Sequence, residues 1–440
     1  MSPLQHGLTP KMKPISPRRS AVICALDIGT SKVACLIARL KPCGAHEALR
    51  RRSHGVEVLG IGHTRARGIK SGTVVKLDEA EQAVRQAVDA AERMARVHVE
   101  SVVLSVGAGR VGSELYAATV HIGGPAATDG DIERVLAAGS RHSVRGGRAV
   151  LHSLPVSYAL DESRDIRDPR GMLGRRLGVD MHVVTTDVAV ARNLMLAVER
   201  CHLCVEAMAA APYAAGLCAL ADDEADLGAA IVDIGAGTTT VAVFSHGRFV
   251  HADAFALGGN HITTDLARGL TAKVVDAERI KTLHGSAICG ASDDRDMITV
   301  PPVGEDEREP PHVVSRAALV RIISPRVEEI LEMVRDRLAA SPFAADPGAR
   351  VVLTGGSSQL TGLPEIAARI LARRVRVGRP LGVAGLPEAA KGPAFAVAAG
   401  LLIYPQVAHL EQVESRRTRA LMTGTEGYFA RVGRWLRESF

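Results

Sequence analysis

The sequence predicts a duplicated α/β chain with a small α+β unit inserted in its first half, and three observations carry that expectation. One short phrase occurs twice, at Asp27 and again 206 residues later at Asp233; two Ala-rich apolar helices stand at about 211–221 and 393–404; and residues 102–186 alternate short β-like runs with one helical stretch, Asp129 to Ser140. The 440 residues leave room for about three domains of roughly 150 residues each. With 47% hydrophobic and 23% charged residues the composition is that of a soluble globular protein, which excludes a disulfide-stapled mini-protein and wholesale disorder. Lys and Arg exceed Asp and Glu by only 54 to 48, so no nucleic-acid partner is expected.

The ends and the cysteines add little chemistry. The first twenty residues carry Lys11, Lys13, Arg18 and Arg19 among four prolines with no apolar h-region behind them, which reads as a loose basic arm (1–19) on a cytoplasmic chain. Seven cysteines, mostly inside apolar runs, read as reduced thiols used as small hydrophobes, and the lone Cys201/Cys204 pair lacks the further ligands a zinc site needs. The uncharged stretch Gly392–Leu410 holds Pro393, Pro405, Gln406 and His409 and lacks aromatic flanks, so it reads as a buried helix.

In both copies of the phrase, Ala25-Leu-Asp27-Ile-Gly29-Thr30-Ser31-Lys32-Val33 and Ile231-Val-Asp233-Ile-Gly235-Ala-Gly237-Thr238-Thr239-Thr240-Val241, a β-branched run ends at an Asp, a Gly/Thr/Ser segment turns the chain, and a second β-branched run follows. That is a hairpin, whereas a Walker A or Rossmann loop opens a helix. Backbone N–H groups at a Gly-rich turn, with hydroxyls beside them, can hold phosphate oxygens, and an Asp at the strand end can hold Mg²⁺ through its waters. Two such hairpins facing each other could grip one nucleoside triphosphate. A third segment, Val351-Val-Leu-Thr354-Gly355-Gly356-Ser357-Ser358-Gln359, runs a buried strand into a Gly-Gly turn ahead of the amphipathic stretch Ile366–Val375, a geometry that lets backbone pass close to a planar ligand.

The two hairpins, the Leu-Thr-Gly-Gly-Ser phrase at 353–357 and the two Ala-rich helices occur in the order used by the actin/Hsp70/sugar-kinase superfamily. Within it, residues 20–440 resemble the bacterial FtsA cell-division proteins, through Val84–Ala95 leading into Val102-Val-Leu-Ser-Val-Gly107, Arg148-Ala-Val-Leu-His152-Ser-Leu-Pro155-Val-Ser-Tyr158-Ala-Leu-Asp161, and Arg167-Asp-Pro169-Arg-Gly171-Met-Leu-Gly174. The resemblance implies an actin-like (ribonuclease H-like) α/β fold of duplicated domains around a nucleotide cleft: subdomain IA at 20–101, 187–219 and 381–408, an inserted subdomain 1C at 102–186, IIA at 220–258 and 320–380, IIB at 259–319. It implies ATP and Mg²⁺, with Asp27 and Asp233 facing the metal's waters. Gly29, Thr30, Ser31 and Lys32 would line the first phosphate turn and Gly235, Gly237, Thr238 and Thr239 the second. Glu278 and Lys281 match the superfamily's ribose and adenine contacts, and Gly355, Gly356, Ser357 and Gln359 would close over the adenosine. Implied partners are FtsZ, other copies of the chain in a filament, and later division proteins reached through the inserted unit.

The last segment carries a pattern of its own. Tyr428, Phe429, Val432, Trp435, Leu436 and Phe440 step at helical spacing along one face, with Arg431, Arg434 and Arg437 on the other. The chain has one Trp, five Tyr and seven Phe, and four of these thirteen fall in the final thirteen positions, a clustering that an interfacial helix on an anionic membrane explains. Residues 409–424 read as its linker and 425–440 as a membrane-targeting helix; the family resemblance implies that the membrane is the inner face of the bacterial cell membrane, at midcell. Each basic group near such a surface is worth about 1 kcal/mol, so one tail is a weak anchor and a filament carrying many is a strong one.

One departure bears on catalysis. Actin and Hsp70 relatives place a Gln or Glu at the start of the first connecting helix to orient the attacking water, and that place here is Ala211, so tight ATP binding with weak or no hydrolysis is expected. The alternatives are a sugar or small-acid kinase of the same fold, which leaves the terminal helix without a role, and an Hsp70-like ATPase, which would need about 200 further residues of substrate domain, more than a single ordinary domain's length.

Overall fold

A computed structural model of the protein describes residues 9–43, 52–140, 146–303, 311–346 and 348–414. By their contacts these fall into two compact units, the first made of 9–114, 146–152 and 182–407 and the second of 115–140, 153–181 and 408–414. The residues expected to face the membrane, Tyr428 to Phe440, lie outside the described residues, as does most of their linker.

The first unit contains two sheets built to one plan. In one, the hairpin Ala21–Ile28 and Lys32–Pro42 is flanked by the antiparallel strand His54–Arg65 on one side and by the parallel strands Ser101–Val106 and Cys204–Ala210 on the other. In the other, the hairpin Ala229–Ile234 and Thr239–Ser245 is flanked by antiparallel Arg248–Phe255 and by parallel Arg350–Thr354 and Val375–Val377. The repeated phrase is therefore the visible part of a repeated five-strand arrangement. The central strands read as unbroken apolar runs because both their faces are covered: Leu26, Val33 to Ile37, and Ala230 to Val232 are all wholly buried. Ser101–Val106, at the start of the expected insert, is a strand of the first of these sheets.

Two helices pack against these sheets with little but small residues between them. Ala211–Ala219 and Ala396–Val407 are buried almost throughout, and they come so close at Gly400 that a Cβ there would sit 1.8 Å from the carbonyl oxygen of Ala214. Beside this contact Tyr213 stacks on Phe249 with ring centroids 4.4 Å apart, and both rings meet His152, whose Nε2 accepts from the Ala210 N–H at 2.8 Å. The apolar stretch Pro393–Glu411 is long enough to cross a bilayer, but 78% of its most apolar window is buried inside the protein, as expected of a core helix.

Two expectations need correction. The basic arm is docked at Thr9 to Met12: Thr9 donates from both its N–H and its hydroxyl to the Val150 carbonyl, Lys11 Nζ donates to the Leu151 carbonyl at 2.6 Å, Pro10 accepts from the Met208 N–H, and Met12 is 3% exposed. Backbone carbonyls supply the anchorage, so an irregular, Pro-rich segment can be held without periodicity. Among the cysteines only Cys24, Cys35 and Cys218 are buried, while Cys204 and Cys289 are exposed because they sit at the mouth of an edge strand and in a loop. In the Asp- and Glu-rich stretch 286–312, where a run of charge would ordinarily face water, Asp293 is 4% exposed and accepts from the Gly290 N–H at 2.7 Å.

In the second unit the expected helix is Asp129–Gly139. Its start is a capping box: the Thr128 hydroxyl accepts from the Asp131 N–H, and the Asp131 carboxylate accepts from the Thr128 N–H at 2.9 Å. Ile132, Val135 and Leu136 form its buried face.

Candidate functional site

The two Asp-tipped turns of the first unit open onto a single cleft of about 560 Å³, a size suited to a small organic ligand. Their backbones match closely. The Gly29 N–H donates to the Lys32 carbonyl at 3.0 Å and the Gly235 N–H to the Thr238 carbonyl at 2.9 Å. Asp27 lies one residue before the end of its strand, opposite Ala34, and Asp233 likewise opposite Thr240. Gly237 is what lets the turns meet, since a Cβ there would lie 2.5 Å from Thr30 Oγ1.

Of the sixteen residues expected at the cleft, all but Gly237 and Thr239 line it. Gly237 stands behind the second turn against Thr30. Thr239 points the other way, wholly buried, with its hydroxyl donating to the Leu257 carbonyl at 2.8 Å. It is the first residue of a strand, and neighbours on a strand face opposite sides, so Thr238 and Thr239 cannot both face a ligand.

Several lining residues were missed. Ser105 donates to Asp27 Oδ1 at 2.6 Å, and the Gly72 N–H donates to Thr30 Oγ1 at 2.9 Å. The duplication offered a signal for Ser105. Leu104-Ser105-Val106-Gly107 runs parallel to the strand of Asp27 just as Leu353-Thr354-Gly355-Gly356 runs parallel to that of Asp233, with Thr354 directly beside Asp233. Gly72 had no comparable signal, because its turn is near only in space.

Charge is concentrated on the cleft floor. Both carboxylates are walled by protein on all sides but the cleft. Burial raises Asp27, against the pull of the Ser105 hydroxyl and Lys32, and burial together with the negative charge of Asp27 pushes Asp233 up to about 7. Lys32 is the nearby cation: burial lowers it while Asp27 and Asp233 raise it, and its Nζ donates to the Ala394 carbonyl at 2.6 Å over the face of Phe395. Two mutually repelling carboxylates are a hard oxygen donor set, and a divalent cation would relieve the repulsion. On the third side, Gly355 takes φ +85°, where a Cβ would lie 2.3 Å from Asp233 Oδ1, so only glycine lets this turn close on the carboxylate. Ser357 Oγ donates to the Gly235 carbonyl at 3.0 Å and ties that turn to the second hairpin. Ala211 also lines the cleft, at the first position of its helix, and offers no polar atom beyond its backbone.

The cell-division protein FtsA of Agrobacterium fabrum is 55% identical to this chain over 99% of its length and 98% of the relative's. That of Rhizobium meliloti is 54% identical over 98% of both, and that of Escherichia coli K12 is 33% identical over 95% of this chain and 98% of the relative. The chain belongs to the FtsA cell-division family. Models of the "Cell division protein FtsA" and of the "SHS2 domain inserted in FTSA" match residues 230–400 and 108–185, the latter covering the described core of the second unit. Membership sets aside the kinase and Hsp70-like alternatives.

The fold is actin-like. The PilM-PilN type IV pilus biogenesis complex aligns with a TM-score of 0.59 at 18% identity, covering 87% of this chain and 98% of that one. MreB5 of Spiroplasma citri bound to ADP aligns at 0.52 and 14%, covering 91% and 100%. At such identities the likeness concerns architecture alone.

Proposed function

We propose that the protein binds ATP with Mg²⁺ in this cleft, assembles with its own copies on the inner face of the cell membrane, and tethers the FtsZ ring there. Later division proteins would be reached through the inserted subdomain. The observation that carries the nucleotide reading is the convergence of two matching Asp-tipped turns on one cleft, with the turn Gly355–Gln359 closing a third side. Backbone N–H groups of the turns, Thr30, Ser31 and Thr238 would take the phosphate oxygens, and Asp27 and Asp233 the waters of the metal. Bound there, Mg²⁺ would supply positive charge between these carboxylates and the phosphates. The membrane and FtsZ parts rest on family membership and on the aromatic, Arg-lined pattern of residues 428–440.

Sedimentation with vesicles containing anionic lipid tests the anchor: the full chain should co-sediment, more so with ATP, and carry FtsZ with it, whereas a version ending at residue 420 should stay in the supernatant. Equal sedimentation of the two versions sinks the anchor. Hydrolysis should be slow because no residue at the position of Ala211 can aim a water, and positioning is most of what a protein contributes to phosphoryl transfer. A phosphate-release assay showing many turnovers per second would refute that.

A further inference from the structure

The two carboxylates of the cleft floor are held in different ways, although the sheets that carry them follow one plan. In the first sheet Leu26 lies beside Leu104 on the parallel strand, so the next residues along, Asp27 and Ser105, are neighbours; in the second, Asp233 lies beside Thr354 in the same relation. Each Asp thus has a hydroxyl residue at its flank. The two hydroxyls are used in opposite ways. Ser105, 3% exposed, donates to Asp27 Oδ1 at 2.6 Å, whereas Thr354, wholly buried, donates to the Pro393 carbonyl at 3.0 Å and gives nothing to Asp233.

Asp233 accepts no hydrogen bond among the described residues and is confined by backbone instead. Gly355 follows Thr354, and a Cβ there would lie 2.3 Å from Asp233 Oδ1 and 2.5 Å from the Ile234 carbonyl oxygen. The residue in the equivalent place after Ser105 is Val106, a β-branched side chain that such an approach does not admit. The first carboxylate lacks that wall and depends on the hydroxyl. A carboxylate has about four lone-pair positions and a serine one proton to give, so this bond fixes the plane of the group and leaves most of its acceptor capacity unused. Asp27 makes no other hydrogen bond among the described residues, so that capacity is open to a ligand of the cleft. At 2.6 Å the contact has the length of the strong, charge-assisted class.

We infer that Ser105 is a positioning residue for the metal: it holds Asp27 in the orientation in which the carboxylate receives the waters of Mg²⁺, and it acts through Asp27 alone, while Thr354, its counterpart in the duplicated sheet, has no part in metal binding. This rests on the nucleotide reading above. Without the hydroxyl, Asp27 has to be ordered at the moment of binding, and immobilising one such side chain weakens the metal-dependent part of the affinity by about two- to tenfold.

The test is calorimetric titration of the full chain with ATP, once with magnesium in excess and once in EDTA, the readout being the ratio of the two affinities within each variant. Wild type should bind more tightly with magnesium. Ser105→Ala should cut the ratio by about two- to tenfold, and Ser105→Thr, which keeps the hydroxyl, should retain it. Thr354→Val should retain it too, even where loss of the bond to Pro393 lowers the melting temperature. A variant that is merely less well folded weakens both affinities together and leaves the ratio alone. An unchanged ratio in Ser105→Ala therefore overturns the inference and leaves the nucleotide reading intact, and an equal loss with magnesium and with EDTA would assign the hydroxyl to the nucleotide itself. A ratio that rises in Ser105→Ala overturns it as well, because the hydroxyl would then be competing with the metal for the carboxylate. So does a Ser105→Thr protein whose ratio falls with that of Ser105→Ala, which would tie the effect to packing at that position. Folded wild type that binds ATP equally well in EDTA, or not at all, would defeat the metal-nucleotide reading itself, and this inference with it.

Discussion

Replacing Gly400 by alanine should lower the apparent melting temperature by several degrees, and replacement by valine should lower it further. The added Cβ would start 1.8 Å from the Ala214 carbonyl oxygen and 2.4 Å from its carbon, both backbone atoms of a buried helix that cannot rotate away. Ordinary contact needs well over 3 Å, so the helices Ala211–Ala219 and Ala396–Val407 would have to part by more than 1 Å along a face where Ala, Gly and Tyr now interlock. Overpacking of this kind costs about 1–3 kcal/mol, and more where backbone is the obstacle, against a gain of at most about 1 kcal/mol from the better helix propensity of alanine. The clash therefore wins. The helix follows directly on Pro393 and Ala394, which line the cleft, and Lys32 is bonded to the Ala394 carbonyl, so nucleotide affinity should fall as well. Gly124→Ala is the control, because a Cβ there meets nothing within 4 Å. If Gly400→Ala melts with Gly124→Ala, the close helix contact is not what it has been taken for.

The parts of the site that were legible in the sequence are those fixed by local chemistry. An Asp at the end of a β-branched run, followed by Gly and hydroxyl residues and a second such run, can hardly be anything but a tight hairpin, and the recurrence of the phrase at Asp233 revealed the duplication. The family resemblance then added residues that geometry alone would not have proposed, Glu278 and Lys281 among them. Features that depend on contacts between distant segments were not legible. The docking of Thr9 and Lys11 on Val150 and Leu151 spans 141 and 140 residues and uses backbone acceptors, which leave no trace in a pattern of side chains. Thr239 was misassigned because the turn's exit register, which decides the facing of every later residue on the strand, is a matter of a single position. The engagement of all three donors of Lys281 depends on a helix start at Gly259, whose N–H is bonded to the Gly235 carbonyl of the second turn, a placement set by the fold and not by side-chain pattern.

The largest pH effect should come from Asp233. With its pKa raised to about 7 in the folded chain and near 4 when unfolded, the native state holds a proton across that window that the unfolded state has lost. This contribution to stability is complete below about pH 4 and is lost as pH rises through about 7, at up to about 1.4 kcal/mol for each pH unit. Buried His182, pushed down to about 3 by its burial, acts in the opposite sense, and its contribution is lost as pH falls below its ordinary value near 6.5. The whole-protein profile mixes the two, so the informative quantity is the difference between wild type and Asp233→Asn, which keeps the shape and cannot ionise. Without magnesium or nucleotide, the melting temperature of wild type should fall relative to Asp233→Asn as pH is raised from 5 to 8. Binding should show the reverse face of the same linkage. A divalent cation needs both carboxylates ionised, so Mg-ATP uptake should release close to one proton at pH 6 and close to none at pH 8.5, measured by calorimetry in buffers of different ionisation enthalpy with magnesium in excess. Asp233→Asn should release none at either pH. A proton count that is the same at both pH values in wild type would mean that Asp233 is already ionised at pH 6, and that the positive charge of Lys32, which acts on both carboxylates, outweighs their repulsion and burial.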